Sequence, residues 1–189
     1  MASQSPLDSK AIGAMCVNIV EESFRQMGNL SFSQDPVSVK RDIIEYSSRM
    51  RVFGMEMFNG PCYISVVNYY FSQSHVQRHD ACGAFVLYVE EGSSEKLFKA
   101  LGYRDFHDED EATMLETCGK LCNVLGGNFK NELAKQGFGD LVMSAPQNYH
   151  NSVPEGVEFH YDEYSKSETS FYLWKEKIVA ADITLSLAR

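Results

Sequence analysis

The sequence lacks the cationic surface that nucleic-acid binding requires. Its 189 residues include 17 Lys and Arg against 26 Asp and Glu, which gives a formal net charge of −9, and the basic residues form no stripe. Phosphate backbones are bound by clustered Lys and Arg side chains. We therefore exclude nucleic acid as the partner and expect an acidic protein that interacts with other proteins.

Long apolar runs are also missing. Residues 1–10 contain no apolar signal core, and no stretch approaches the roughly 20 apolar residues of a membrane-spanning helix. We predict a cytoplasmic protein with no membrane segment. With 44% hydrophobic and 12% aromatic residues, the chain suits one domain over residues 1–189 with a real core, preceded by a flexible tail at residues 1–7.

Cysteine and histidine are too few and too scattered to form a recognisable framework. The five cysteines are an odd number without regular spacing, which is typical of reduced intracellular thiols. Cys118 and Cys122 stand four residues apart on a predicted helix, a spacing that would allow two thiolates to bind a metal. Both fall on the apolar face with no nearby ligand to complete a set, so we interpret them as core residues and predict no cofactor on this chain.

The order of hydrophobic patterns favours an α+β fold. Asp8 or Ser9 can cap a first long helix that ends near Gly28, and residues 37–89 read mostly as strands. A short helix follows at residues 93–102, and three further strands are predicted after residue 155. We expect a two-layer sandwich, a mostly antiparallel sheet with two long helices packed on it.

The second long helix, residues 110–136, has the clearest pattern in the chain. At about 100° per residue, its apolar residues fall on one wide face, as a core-facing helix requires. These residues are Met114, Leu115, Cys118, Leu121, Cys122, Leu125, Phe129 and Leu133. An acidic run at residues 104–111 precedes the helix; it either stabilises the helix N-terminus electrostatically or selects a charged partner.

A narrow polar stripe lies opposite the apolar face of this helix. Its members are Glu116, Lys120, Asn123 and Gly127, which fall within roughly 60° of one another. One interpretation is that the stripe is presented to a partner, whose backbone approaches the helix at Gly127 and Gly126. The alternative is an ordinary solvated helix back, in which Glu116 and Lys120 form a surface pair at i and i+4.

The run CGKLCNVLGGNFKNEL, together with Pro146, resembles the signature helix of the CheC/CheX/FliY family of chemotaxis phosphatases and is closest to its CheX branch. That signature runs Asp or Ser, three residues, Glu, two residues, Asn, then twenty-two residues and Pro. Glu116, Lys120, Asn123 and Pro146 occupy these four places in register. The chain departs from the signature twice, because the family Glu is Lys120 here and the family Asp or Ser is Glu116.

The resemblance implies a partner and a chemistry. The partner would be a CheY-like response regulator receiver, which carries its own Mg²⁺, and the relatives pair through their sheets, which implies a homodimer. Asn123 would orient water for attack on the receiver's aspartyl phosphate, with Lys120 and Glu116 beside it as the other candidate catalytic residues. Since Lys120 places a cation where the family has an anion, two alternatives stay open: a non-catalytic module that binds a receiver, and a structural oligomer with a solvated helix back.

Overall fold

The computed structural model describes residues 7–104, 110–159 and 163–186. The described helices are Ser9–Gly28 (α1), Met55–Phe58 (α2), Gln73–Gln77 (α3), Glu91–Ala100 (α4) and Glu111–Lys135 (α5). The described strands are Gln34–Lys40 (β1), Glu45–Tyr46 (β2), Arg49–Phe53 (β3), Cys62–Tyr70 (β4), Gly83–Glu90 (β5), Val142–Met143 (β6), Gln147–His150 (β7), Ser152–Val157 (β8), Ser165–Leu173 (β9) and Glu176–Leu185 (β10). Most of the predicted tail and of the acidic run lies outside the described residues, but Leu7 packs partly buried against the core.

A seven-stranded antiparallel sheet forms the centre of the described fold. Its order is β1-β9-β10-β5-β4-β6, and β7 also pairs with β4. Strands β4 and β5 lie in the middle and are almost entirely buried, as their near-continuous apolar sequences require. The predicted α+β class with a mostly antiparallel sheet is confirmed.

Helices α1 and α5 pack on one face of this sheet and enclose the main core. The apolar face of α5 contributes Cys118, Leu121, Cys122 and Leu125, all fully buried. Asp8 caps α1 by accepting a hydrogen bond from the amide of Ala11 at 2.7 Å, as predicted. The core therefore fixes the rotation of α5, and with it the direction in which the polar stripe points.

A second, smaller sheet covers the other face of the main sheet, and the sequence did not predict it. It has the order β2-β3-β8 and encloses a separate apolar cluster against β4 and β5. Residues 49–58 lie within the stretch that reads mostly as strands, but their second half is the short helix α2. Three further strands were predicted after residue 155, whereas residues 147–155 already form β7 and most of β8.

All five cysteines are buried and unpaired. Cys16 and Cys82 contact the main core, as do Cys118 and Cys122, whereas Cys62 lies in the cluster under the small sheet. Burial raises the pKa of Cys16, Cys62, Cys82 and Cys122 to about 12. These thiols are therefore protonated core residues, as expected.

Strand β1 forms one outer edge of the main sheet. Among the described strands it pairs only with β9, so its other side is open to solvent, and Val37 is exposed there. An open edge is where two copies of a chain can pair. The homodimer stays a prediction. No helix in the described residues is both long and apolar enough to cross a membrane.

Candidate functional site

The polar stripe of α5 faces outward along the first half of the helix. Glu116, Lys120 and Asn123 are exposed, while the residues between them, such as Leu121 and Cys122, are buried. The predicted rotation of the helix is confirmed. The structure thus brings the three candidate side chains together on one exposed surface, anchored by a rigid core.

Glu116 and Lys120 form an ion pair on this surface. The Lys120 Nζ lies 2.9 Å from Glu116 Oε1, and the two side chains are 57% and 67% exposed. A pair this exposed contributes about 0.3–0.5 kcal/mol at most, because water screens it. The pair therefore holds the two side chains together loosely, and either can turn toward a partner at little cost.

Asn123 has no hydrogen-bond partner within the described part of the chain, although its side chain is exposed beside the ion pair. Its neighbour Val124 is 39% exposed, one of the few large apolar side chains that reach solvent on this helix. A carboxamide both donates and accepts hydrogen bonds without changing charge. Asn123 is thus free to hold a water molecule or a polar group of a partner.

Only one of the two adjacent glycines forms the predicted recess. A Cβ added to Gly127 would meet nothing closer than Met143 Cε at 3.9 Å, so this position is open. Gly126 is buried instead: a Cβ there would lie 2.6 Å from Val67 Cγ2, and its carbonyl accepts a hydrogen bond from the Tyr69 hydroxyl at 2.8 Å. Gly126 serves helix-to-sheet packing, which corrects the interpretation of both glycines as a recess.

Strand β7 and the loop before it border the stripe along one side. Pro146, the last residue of the family spacing, lies half-buried in the loop between β6 and β7. On β7, the carboxamide of Asn148 packs directly on α5 at Gly119. Asn148 was not among the residues predicted from the sequence, because its position depends on strand pairing.

His150 of β7 connects the start of α5 to helix α4 and strand β4. His150 Nε2 lies 2.5 Å from Glu91 Oε2 on α4, and His150 Nδ1 lies 3.3 Å from Glu111 Oε1 on α5. The imidazole also stacks on Tyr63 of β4, with ring centroids 5.4 Å apart. These contacts hold the first turn of α5 against the edge of the sheet, and sequence reasoning missed them as well.

On the other side, α1 and α5 border a groove of about 730 Å³. Asn18 and Glu22 line it from α1, with Asn128 and Asn131 opposite on α5. Met15 of α1 also lines the groove and is buried. Within the described residues, no group of three or more His, Cys, Asp or Glu side chains is arranged to hold a metal.

Comparison with known proteins yields structural likeness only. No family model and no curated protein sequence matches the chain. Among solved structures, a CheC-like superfamily protein from Shewanella sp. PV-4 is similar with a TM-score of 0.62 at 13% identity, over 93% of this chain and 97% of that one. The chemotaxis protein CheX from Vibrio vulnificus has a TM-score of 0.58 at 15% identity, over 93% and 99%.

The CheX–CheY complex with BeF₃ and Mg²⁺ from Borrelia burgdorferi contains a third similar chain. Its TM-score is 0.58 at 13% identity, over 95% of this chain and 99% of that one. At these identities the likeness establishes the fold. The chain therefore has the fold of the CheC-like and CheX chemotaxis proteins over almost its whole length, as the resemblance of the central helix implied.

Proposed function

We propose that this chain is a CheX-like cytoplasmic signalling protein that binds a phosphorylated CheY-like receiver through the α5 stripe and promotes hydrolysis of its aspartyl phosphate. The observation that carries the proposal is Asn123, an exposed carboxamide that no described residue engages, on a helix whose opposite face is fully buried. The shared fold with CheX, which occurs in a complex with CheY, supports the choice of partner.

In this mechanism the main contribution of the chain is to position the attacking water. Asn123 Oδ1 accepts a hydrogen bond from one water and Nδ2 donates a hydrogen bond to the oxygen of that water or to the phosphoryl group, so that the water lies in line with the bond to be broken. The water oxygen bonds to phosphorus, the bond from phosphorus to the aspartate oxygen breaks, and the products are inorganic phosphate and the free carboxylate. A Mg²⁺ ion held by the receiver, and not by this chain, would stabilise the charge of the transferring group when bound.

Glu116 and Lys120 supply the contacts on either side of the water. The family resemblance assigns the anion that meets the receiver's Lys to the place of Lys120, where a cation stands in this chain. Glu116 lies one turn away and its carboxylate is within 2.9 Å of the Lys120 ammonium. We propose that Glu116 turns to the receiver's Lys, which leaves Lys120 to contact a phosphate oxygen.

A receiver-binding module without catalysis is the second candidate. The observation that favours it is the same ion pair. Lys120 would repel a receiver Lys, and it already pairs with the Glu116 carboxylate that would otherwise meet that Lys. The two candidates share the binding surface and differ only in whether phosphate is lost faster when the proteins meet.

The substitution Asn123→Ala separates these candidates. If Asn123 positions the attacking water, the change lowers the dephosphorylation rate about a hundredfold, equivalent to about 3 kcal/mol, and leaves receiver affinity within a few fold. Phosphate release from acetyl-phosphate-labelled receiver and binding to a beryllofluoride-activated receiver measure the two quantities.

The matched control is Asn131→Ala, which removes an exposed carboxamide two turns further along the same helix. It should change neither quantity by more than about twofold. Equal rates for the parent protein and Asn123→Ala would exclude catalysis by this residue, and receiver binding without any acceleration would leave the binding module as the function.

A further inference from the structure

Asn148 carries a second carboxamide beside the stripe, and a residue of the neighbouring strand β4 fixes its orientation. It stands opposite Ser65 in the pairing of β4 with β7, so both side chains point toward α5. The fully buried Ser65 hydroxyl donates to Asn148 Oδ1 at 2.8 Å. One end of this carboxamide is therefore held by the sheet.

Helix α5 is adapted to this side chain at Gly119. A Cβ at Gly119 would lie 2.6 Å from Asn148 Oδ1 and 2.7 Å from Nδ2, so the carboxamide occupies the space that any other residue would fill. Gly119 precedes Asn123 by four residues, about one turn or 6 Å along the axis, and lies on the same flank of the stripe. The two carboxamides are thus neighbours along one border of the candidate site.

The amide nitrogen of Asn148 is the free end of the group. Within the described residues it donates to no acceptor, and the residue is exposed. Its hydrogen bond from Ser65 and its packing on Gly119 already restrict its rotation. A donor fixed before binding loses little conformational entropy when it meets an acceptor, which favours a role in recognition.

We propose that Asn148 is a specificity-determining contact of the receiver interface, donating from Nδ2 to an oxygen acceptor at the rim of the phosphorylation site. This inference rests on the proposed function and extends it from one helix to strand β7. Ser65 acts through Asn148 as a positioning residue. The role of Asn148 is to recognise the receiver, whereas the water is held by Asn123.

Asn148→Asp tests the inference with almost no change in shape. The aspartate keeps an acceptor for Ser65 but replaces the two N–H donors with a negative charge. We expect KM for phosphorylated receiver to rise roughly tenfold while kcat stays within twofold, because a contact made equally before and during the reaction affects binding alone. Ser65→Ala, which removes only the orienting hydroxyl, should raise KM by a smaller factor in the same direction.

Gln147→Glu is the matched control, since it makes the same charge change on the neighbouring exposed residue of β7. It should leave KM unchanged, and the melting temperatures of all three variants should match the parent. If Asn148→Asp leaves KM within twofold, Asn148 serves only to pack on Gly119 and the inference fails. That result is distinct from failure of the proposed function, which Asn123→Ala reports separately.

Discussion

At the scale of single residues, Lys120 is the side chain on which the proposed activity depends most. Lys120→Glu restores the family's charge and removes a cation that would face a receiver Lys. We expect tighter receiver binding but loss of the rate acceleration, because Lys120 is proposed to contact a phosphate oxygen; a dephosphorylation rate several fold higher would show instead that Lys120 only hinders engagement of the receiver's Lys. The new repulsion with Glu116 at i and i+4 costs only about 0.2–0.5 kcal/mol, so the fold should tolerate the change.

Lys135→Glu provides the control for Lys120→Glu. Lys135 is also exposed on α5 and also pairs with a carboxylate, Glu132, at 3.0 Å, but it lies near the far end of the helix. It should leave rate and affinity unchanged. Loss of activity in Lys120→Glu alone would show that Lys120 contacts the phosphate and that this site works differently from those of its relatives.

Sequence periodicity predicted the exposure of Glu116, Lys120 and Asn123, because a regular helix relates residues by a fixed angle. It could not predict Asn148 or His150. Asn148 and Ser65 are 83 positions apart in the sequence, and His150 contacts two helices through its two ring nitrogens. Such contacts depend on which strands pair, and one sequence does not record that.

At the scale of elements, the two adjacent glycines of α5 should respond in opposite directions to the same change. Gly126→Ala would push a methyl group against Val67 and the Tyr69 hydroxyl, and should lower the free energy of unfolding by about 1–2 kcal/mol. Gly127→Ala meets open space and should raise it by about 0.5–1 kcal/mol through helix propensity. Urea denaturation measures both.

Receiver affinity adds a second measurement for this pair. If a partner's backbone approaches the helix at Gly127, Gly127→Ala should weaken binding even as it stabilises the protein. Equal destabilisation by both substitutions would contradict the described packing of α5 on β4, because only Gly126 faces that strand.

Elements with a strong internal pattern were predictable, and elements defined by distant contacts were not. Helix α5 was placed within one residue at each end, since it is amphipathic, and β5 falls in the stretch read as strands, since it is continuously apolar. The segment at residues 49–58 has apolar residues throughout, so its division into β3 and α2 was not visible. Gly54 lies at that division, where a Cβ would clash with Cys62 Sγ on β4 of the main sheet.

At the scale of the whole molecule, buried thiols and phenols with raised pKa values should make the folded state less stable at alkaline pH. The pKa of Cys16 and Cys122 is about 12 when folded, because burial disfavours the thiolate. Unfolded cysteine has a pKa of about 8.5. Between these values the folded state holds protons that the unfolded state releases, so stability is full below about pH 8.5 and falls as pH rises toward 12. The tyrosines Tyr69 and Tyr88 act in the same direction.

The measurement is the urea midpoint as a function of pH. We expect a constant midpoint from pH 7 to 8 and a steady decrease above pH 8.5. A midpoint that stays constant to pH 10.5 would mean that the thiols ionise without unfolding, in conflict with their burial.

Because the five thiols are distributed over several elements, their reactivity can be used to measure local unfolding of each element. They lie in α1, in β4, just before β5 and, in two cases, in α5, so together they report on four parts of the described structure. A thiol-reactive label can attach only after the element around a cysteine has separated from the core. The order in which the cysteines are labelled would therefore rank the elements by their free energy of opening, and receiver binding should slow labelling of Cys118 and Cys122 selectively.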